Sequence, residues 1–148
     1  MDDAGHPDQP DPREARGRPD PAERLPAARA ARRAVLGDAY VDAVAADPEV
    51  DPVGADFQDY ITAVAWMPWA RGGALSRRDR SLLVMAMTAA LGRMEEFSLH
   101  VRSAPRAGVR DEEIDELLFQ IAGYCGAPAG VAARRCVQEV RAARRDGP

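Results

Sequence analysis

The chain has 148 residues, of which 46% are hydrophobic and 5% aromatic, enough apolar material for one domain with a true core. Its net charge is −4 with both signs interspersed, so no broad basic face and no nucleic-acid partner are expected. The opening MDDAGHPDQPDP lacks the basic start and apolar run of a secretory signal, and no window reaches the length of a membrane span. That start and the lack of a span predict a cytoplasmic protein without a membrane partner.

Residues 1–25 repeat Pro, Asp, Gly and Arg with almost no apolar side chains, and such a segment cannot offset the entropy of ordering. A disordered tail is expected there, with residues 26–148 forming the folded domain, and His6 falls in the tail as a solvated side chain. Residues 27–46 place Val35, Leu36, Ala39, Tyr40, Ala43 and Val44 at helical spacing, which predicts one helix with a gap at Gly37. A second helix is expected over residues 53–67, with Phe57, Tyr60, Ile61 and Val64 on one stripe and Pro68 as its end. The segment WARGGAL that follows reads as a loop.

Ser76 and Asp79 resemble a helix start, and the stretch RSLLVMAMTAAL is apolar on nearly every side, so this helix is expected to be central and buried. Beyond Gly92 a further helix reaches Pro105, where a turn is predicted. Asp111 is placed to cap the next helix, which runs to Gly126. The last helix is expected from about Pro128 to Arg144. Ala and Leu favour helices, and the whole reads as an all-α, single-domain bundle of about six helices.

Glu96 and His100 stand four residues apart, so on a helix they share a face. A carboxylate beside an imidazole orients it and raises its pKa, which makes His100 a candidate general acid with Glu96 as its partner. An ordinary surface Glu/His pair has the same spacing. Phe97, Leu99 and Val101 surround the pair, and that apolar setting favours the functional reading. Arg77, Arg78, Arg80, Arg93 and Arg102 lie on the same two helices and are candidates to grip a carboxylate, or else form a solvated basic cluster. Trp66 and Trp69 flank a loop that is able to cover a small cavity, with core packing as the alternative. Cys125 and Cys136 are eleven positions apart, which is neither a CxxC redox pair nor a metal knuckle. No phosphate-binding, dinucleotide or metalloprotease motif occurs, so neither a cofactor nor a metal is indicated.

The strings RRAVLGDAYVD (residues 32–42), FQDYITAVAW (57–66), RRDRSLLVMAM (77–87), GRMEEFSLHVRSA (92–104), GVRDEEIDELL (108–118) and YCGAPA (124–129) together resemble the carboxymuconolactone decarboxylase family. The resemblance runs from about residue 31 to 140 and implies an alkylhydroperoxidase-like helical fold assembled as a homotrimer or homohexamer. It also implies cofactor-independent decarboxylation of 4-carboxymuconolactone, a small dianionic lactone, to 3-oxoadipate enol-lactone in the protocatechuate branch of the beta-ketoadipate pathway. In that reading His100 donates a proton, Glu96 orients it, and Arg80, Arg93 and Trp66 bind substrate. The redox branch of the superfamily carries a CxxC seven and four residues before the histidine, where this chain has Arg93 and Glu96, which disfavours peroxide chemistry. Residues 67–74 depart from the usual GEVWTRPGL, and Val131 and Arg135 replace the usual Asn and His. Another small acid as substrate, or a repurposed oligomer, is the alternative these departures leave open.

Overall fold

The computed structural model describes residues 21–46 and 52–146. A short 3-10 turn, Pro21–Glu23, leads into α1 (Arg24–Leu36), followed by α2 (Asp38–Ala45), α3 (Pro52–Ala70), α4 (Arg77–Ala90), α5 (Met94–Ala107), α6 (Asp111–Cys125) and α7 (Ala127–Asp146). Every regular element among the described residues is helical, as expected, and none is long and apolar enough to cross a membrane. Most of the expected tail, residues 1–20, lies outside the described residues. Helical structure begins at Pro21, earlier than the expected boundary.

The expected first helix is two helices. Gly37 adopts φ 90 and ψ 150, closes α1 by donating its N–H to Arg33, and begins α2 on a new axis. Arg33 bridges the break, pairing with Asp38 at 3.0 Å and Asp42 at 2.6 Å. A side chain at Gly37 would be strained by the φ of 90 and would press on the Arg106 guanidinium, whose carbon lies 3.0 Å from an ideal Cβ.

Two prolines expected to end helices lie inside them. A proline within a helix leaves the carbonyl four residues back without its donor. For Pro105 that carbonyl belongs to Val101, and the Arg144 guanidinium of α7 donates to it at 2.5 Å. For Pro68 it belongs to Val64, whose residue is 57% exposed and open to water. The sharp turn after α5 falls instead at Gly108, which is left-handed.

Ser76 caps α4 as expected: its hydroxyl accepts from the Asp79 N–H at 3.1 Å, and the Asp79 carboxylate accepts from the Ser76 N–H at 3.1 Å. The cap of α6 is supplied by Glu113 rather than Asp111, accepting from the Arg110 N–H at 2.9 Å. Glu113 also holds Arg78, tying α6 to α4, and these partners lower its pKa to about 2. Asp111 is drawn away toward Arg141 and Arg144.

Side chains form two cores. The larger, from α4 to α7, is built on Met85, Phe97, Val101, Ile114, Ile121 and Val137. The smaller, from α1 and α3, holds Ala28, Val35, Leu36 and Trp66, with Trp69 and Leu99 packed against it. Helix α5 touches both, and it is the most amphipathic element of the chain. Helix α4 is not buried on all sides: only Ser81, Met85 and Ala89 are, while Met87 is 54% exposed and Leu91 74%. Its other apolar face is uncovered within one chain because α5, α6 and α7 all pack on a single stripe. Between α6 and α7 the helices nearly touch, since a Cβ on Gly130 would lie 2.6 Å from that of Ala122.

Replacing Arg144 with Met should cost about 1–3 kcal/mol by orphaning the Val101 carbonyl. Combining it with Pro105→Ala, which restores the backbone donor, should shrink that loss. Denaturant unfolding of the four variants checks this, and an equal loss in both backgrounds would reject the link.

Candidate active site

Helix α5 carries both Glu96 and His100, and its apolar spacing forces the side chain of His100 into the seam between the two cores. His100 is 7% exposed. Its ring lies nearly parallel to two indoles, with centroid distances of 6.1 Å to Trp66 and 5.9 Å to Trp69. Trp69 reaches it because α3 continues through Pro68 to Ala70, placing the two tryptophans one turn apart with centroids at 5.3 Å. The segment expected to be a loop from Trp69 onward is thus helical at its start. Burying Trp69 against Trp66 and His100 offsets the roughly 3 kcal/mol cost of an interior proline.

These side chains border a cavity of about 300 Å³ formed by α1 to α5 and lined by Arg32, Tyr40, Thr62, Trp66, Trp69, Glu96 and His100, among others. Arg32 and Glu96 are the two charged residues that line it. Burial pushes the His100 pKa down from 6.5 to about 4, so the imidazole is neutral at pH 7. This reverses the expectation that Glu96 raises it. Glu96 shares the cavity but is exposed, and its carboxylate makes no hydrogen bond to the ring among the described residues. Desolvation therefore decides the charge state. Nδ1 of His100 is buried with no hydrogen-bond partner among the described residues, a state that costs free energy.

The expected arginine clamps lie elsewhere. Arg80 donates to the Gly72 carbonyl and fastens the loop after α3. Arg93 is exposed at the start of α5, and neither lines this cavity. Arg78 is held by Glu113, and Arg102 donates to the Ser98 hydroxyl at 2.6 Å. The residue missed is Arg32, half-buried on α1, whose guanidinium donates to the buried Thr62 hydroxyl at 3.1 Å. Its only sequence signal is that α1 has apolar Ala28, Val35 and Leu36 on the same side, which turns Arg32 partly inward.

Cys125 is exposed at the end of α6 and Cys136 is buried in α7; both are free, and neither lines the cavity. Among the described residues no three His, Cys, Asp or Glu side chains converge as a metal site requires.

The low pKa of His100 has a stability consequence. The unfolded imidazole takes a proton near 6.5 and the folded one only near 4, so acid favours unfolding in that interval. Stability is full above pH 6.5 and falls toward pH 4, by up to about 3 kcal/mol. The chain has two histidines, and in a proton NMR titration the His100 ring signal should move only near pH 4. His100→Gln should remove this part of the pH dependence of unfolding; a ring that titrates near 6.5 would contradict the burial.

Comparison with known proteins adds a lineage to this geometry. The model of the carboxymuconolactone decarboxylase family matches residues 55–139. A 4-carboxymuconolactone decarboxylase of Acinetobacter baylyi is 41% identical over 86 residues, which is 57% of this chain and 63% of that protein. The nitrosuccinic acid decarboxylase npaB of Metarhizium robertsii is 37% identical over 83 residues, 55% of this chain and 57% of that protein. The chain therefore spans about three-fifths of the length of these relatives. The matched stretch contains Trp66, Trp69, Glu96 and His100, and the chain belongs to the carboxymuconolactone decarboxylase family.

Proposed function

We propose that this protein is a decarboxylase of a small dianionic acid, with 4-carboxymuconolactone as substrate and 3-oxoadipate enol-lactone as product. The observation that carries the reading is the buried imidazole that borders a cavity lined also by Arg32, Glu96 and two tryptophans. The similarity to the Acinetobacter baylyi enzyme supports the choice of substrate.

The chemistry requires little of the protein beyond placement and a proton. The bond between the ring carbon and the leaving carboxylate breaks, releasing carbon dioxide. Its electron pair moves through the ring alkene into the lactone carbonyl, giving a dienolate, and protonation at the carbon next to that carbonyl gives the enol-lactone. The lactone is its own electron sink, so no cofactor is assigned. His100, neutral on its own at pH 7, gains a proton when a dianion enters, because nearby negative charge favours the charged imidazole. The indole faces of Trp66 and Trp69 favour the imidazolium further. His100 then gives that proton to the dienolate carbon, while Glu96 keeps a negative charge beside the ring and assists its reprotonation from water.

A second reading, decarboxylation of another small diacid by the same residues, is favoured by the departures in residues 67–74 and by the nitrosuccinic acid decarboxylase relative. Homo-oligomeric assembly as a trimer or hexamer belongs to the proposal as well. The exposed apolar side chains Met87, Leu91 and Phe119 support it, since they are 54%, 74% and 73% exposed in one chain. Cytoplasmic action in the protocatechuate branch of the beta-ketoadipate pathway would follow from the substrate.

Purified protein given freshly made carboxymuconolactone should convert it without added metal or cofactor, as followed by ultraviolet absorbance. His100→Gln should slow turnover by about 10²–10⁴-fold, the usual worth of a positioned proton donor, with helical circular dichroism unchanged. Turnover at the wild-type rate in that variant would remove His100 from the chemistry.

A further inference from the structure

We infer that Arg32, held in place by Thr62, anchors the carboxylate that the substrate keeps, while the departing carboxylate lies against the aromatic wall. The inference rests on the decarboxylase reading and assigns the direction in which a dianion sits.

Three neighbouring arginines project from α1, and two are already neutralised. Arg29 makes two contacts with the Asp59 carboxylate, at 2.6 and 2.7 Å. Arg33 is paired with Asp38 and Asp42. Arg32 makes no ion pair among the described residues, and Thr62 occupies one donor of its five. A half-buried guanidinium with a free fork is matched in shape and charge to a carboxylate.

Arg32 and Thr62 line two cavities at once: that of His100, and a neighbouring one of about 470 Å³ between α1, α2 and α3. They form the wall between the two. A different wall, made by Tyr40, Glu96 and Leu99, adjoins a third cavity of about 710 Å³ that reaches α7. The His100 cavity therefore has a cationic wall at Arg32 and, apart from it, an anionic one at Glu96.

This polarity suits only one substrate orientation. The departing carboxylate loses its charge in the transition state, so a guanidinium that keeps its own charge throughout would, set upon it, stabilise the ground state and slow the reaction, whereas the His100 imidazolium gives up its proton as the charge passes into the dienolate. Apolar and aromatic surroundings with an anion nearby do the opposite. The carboxylate that remains keeps its charge throughout, and binding it strongly costs nothing in rate. In carboxymuconolactone and in nitrosuccinic acid the two carboxylates sit on adjacent carbons, so succinate reproduces their spacing. Arg32 precedes the residues matched by the family model.

The chain has two tryptophans, and both line the cavity, so intrinsic fluorescence reports occupancy without turnover. Full-length protein should bind succinate at least tenfold more tightly than its neutral dimethyl ester. Arg32→Gln should cut that preference at least tenfold while leaving the ester affinity unchanged, and Thr62→Val should weaken it in part. A merely structural Arg32 would shift both ligands together, and this result, or a preserved preference in Arg32→Gln, overturns the assignment. So does a wild-type protein with no preference for succinate. An inactive protein with Arg32-dependent succinate binding would retain the anchor and dismiss decarboxylation; active protein with Arg32-independent binding would do the reverse.

Discussion

An imidazole removed from water and left with an unpartnered ring nitrogen is an unfavourable object, and the surrounding structure is arranged to keep it there. His100 is on α5, the helix that both hydrophobic cores share. Phe97, Val101 and Ala104 fasten one side of that helix to the larger core. With that side fixed, the turn bearing His100 is committed to the seam, where the indoles of Trp66 and Trp69 close on it. The continuation of α3 through Pro68, the break at Gly37 that brings Tyr40 to the cavity, and the donor that Arg144 gives to Val101 all serve this placement.

The cavity's charge balance accounts for how so small a site is able to do chemistry. Before ligand arrives it holds one guanidinium, one carboxylate and a neutral ring. A dianion adds charge next to the ring, and the low dielectric that suppressed its protonation then amplifies the attraction. In the proposed reaction the proton donor is assembled by the substrate it will act on. In that reaction the aromatic walls of Trp66 and Trp69 also favour a step in which localised carboxylate charge becomes diffuse dienolate charge.

Much of this was legible in the sequence, for reasons that differ from residue to residue. The Ser76/Asp79 cap and the helical periods around Val35, Ile114 and Ile121 are local signals, and the structure follows them. Glu96 and His100 share a cavity because a four-residue spacing admits little else on a helix. Prolines misled because their penalty is moderate and a tertiary contact outweighs it, whether the Trp69 stack or the Arg144 donor. Gly37 read as a gap within one helix, since its φ of 90 has no sequence marker beyond the residue itself. Among many arginines, the DRS stretch of the family resemblance points to Arg80, and Arg93 stands among the arginines on the two helices that lead to His100. Which guanidinium remains unpaired depends on Asp38, Asp42, Asp59 and Glu113, contacts formed across helices and invisible to spacing.

The division of the interior into two unequal cores carries a dynamic meaning. The smaller core closes over the cavity and rests on few buried side chains, so it belongs to the low-stability end of the molecule, where local opening is easiest. Partial release of α1 and α3 from α5 would expose the ring, the indoles and Arg32 together while α4 to α7 stayed folded. Under the proposed function, breathing of that small core would widen the cavity for ligand and product to exchange. Tightening it, however stabilising for the fold, would retard exchange.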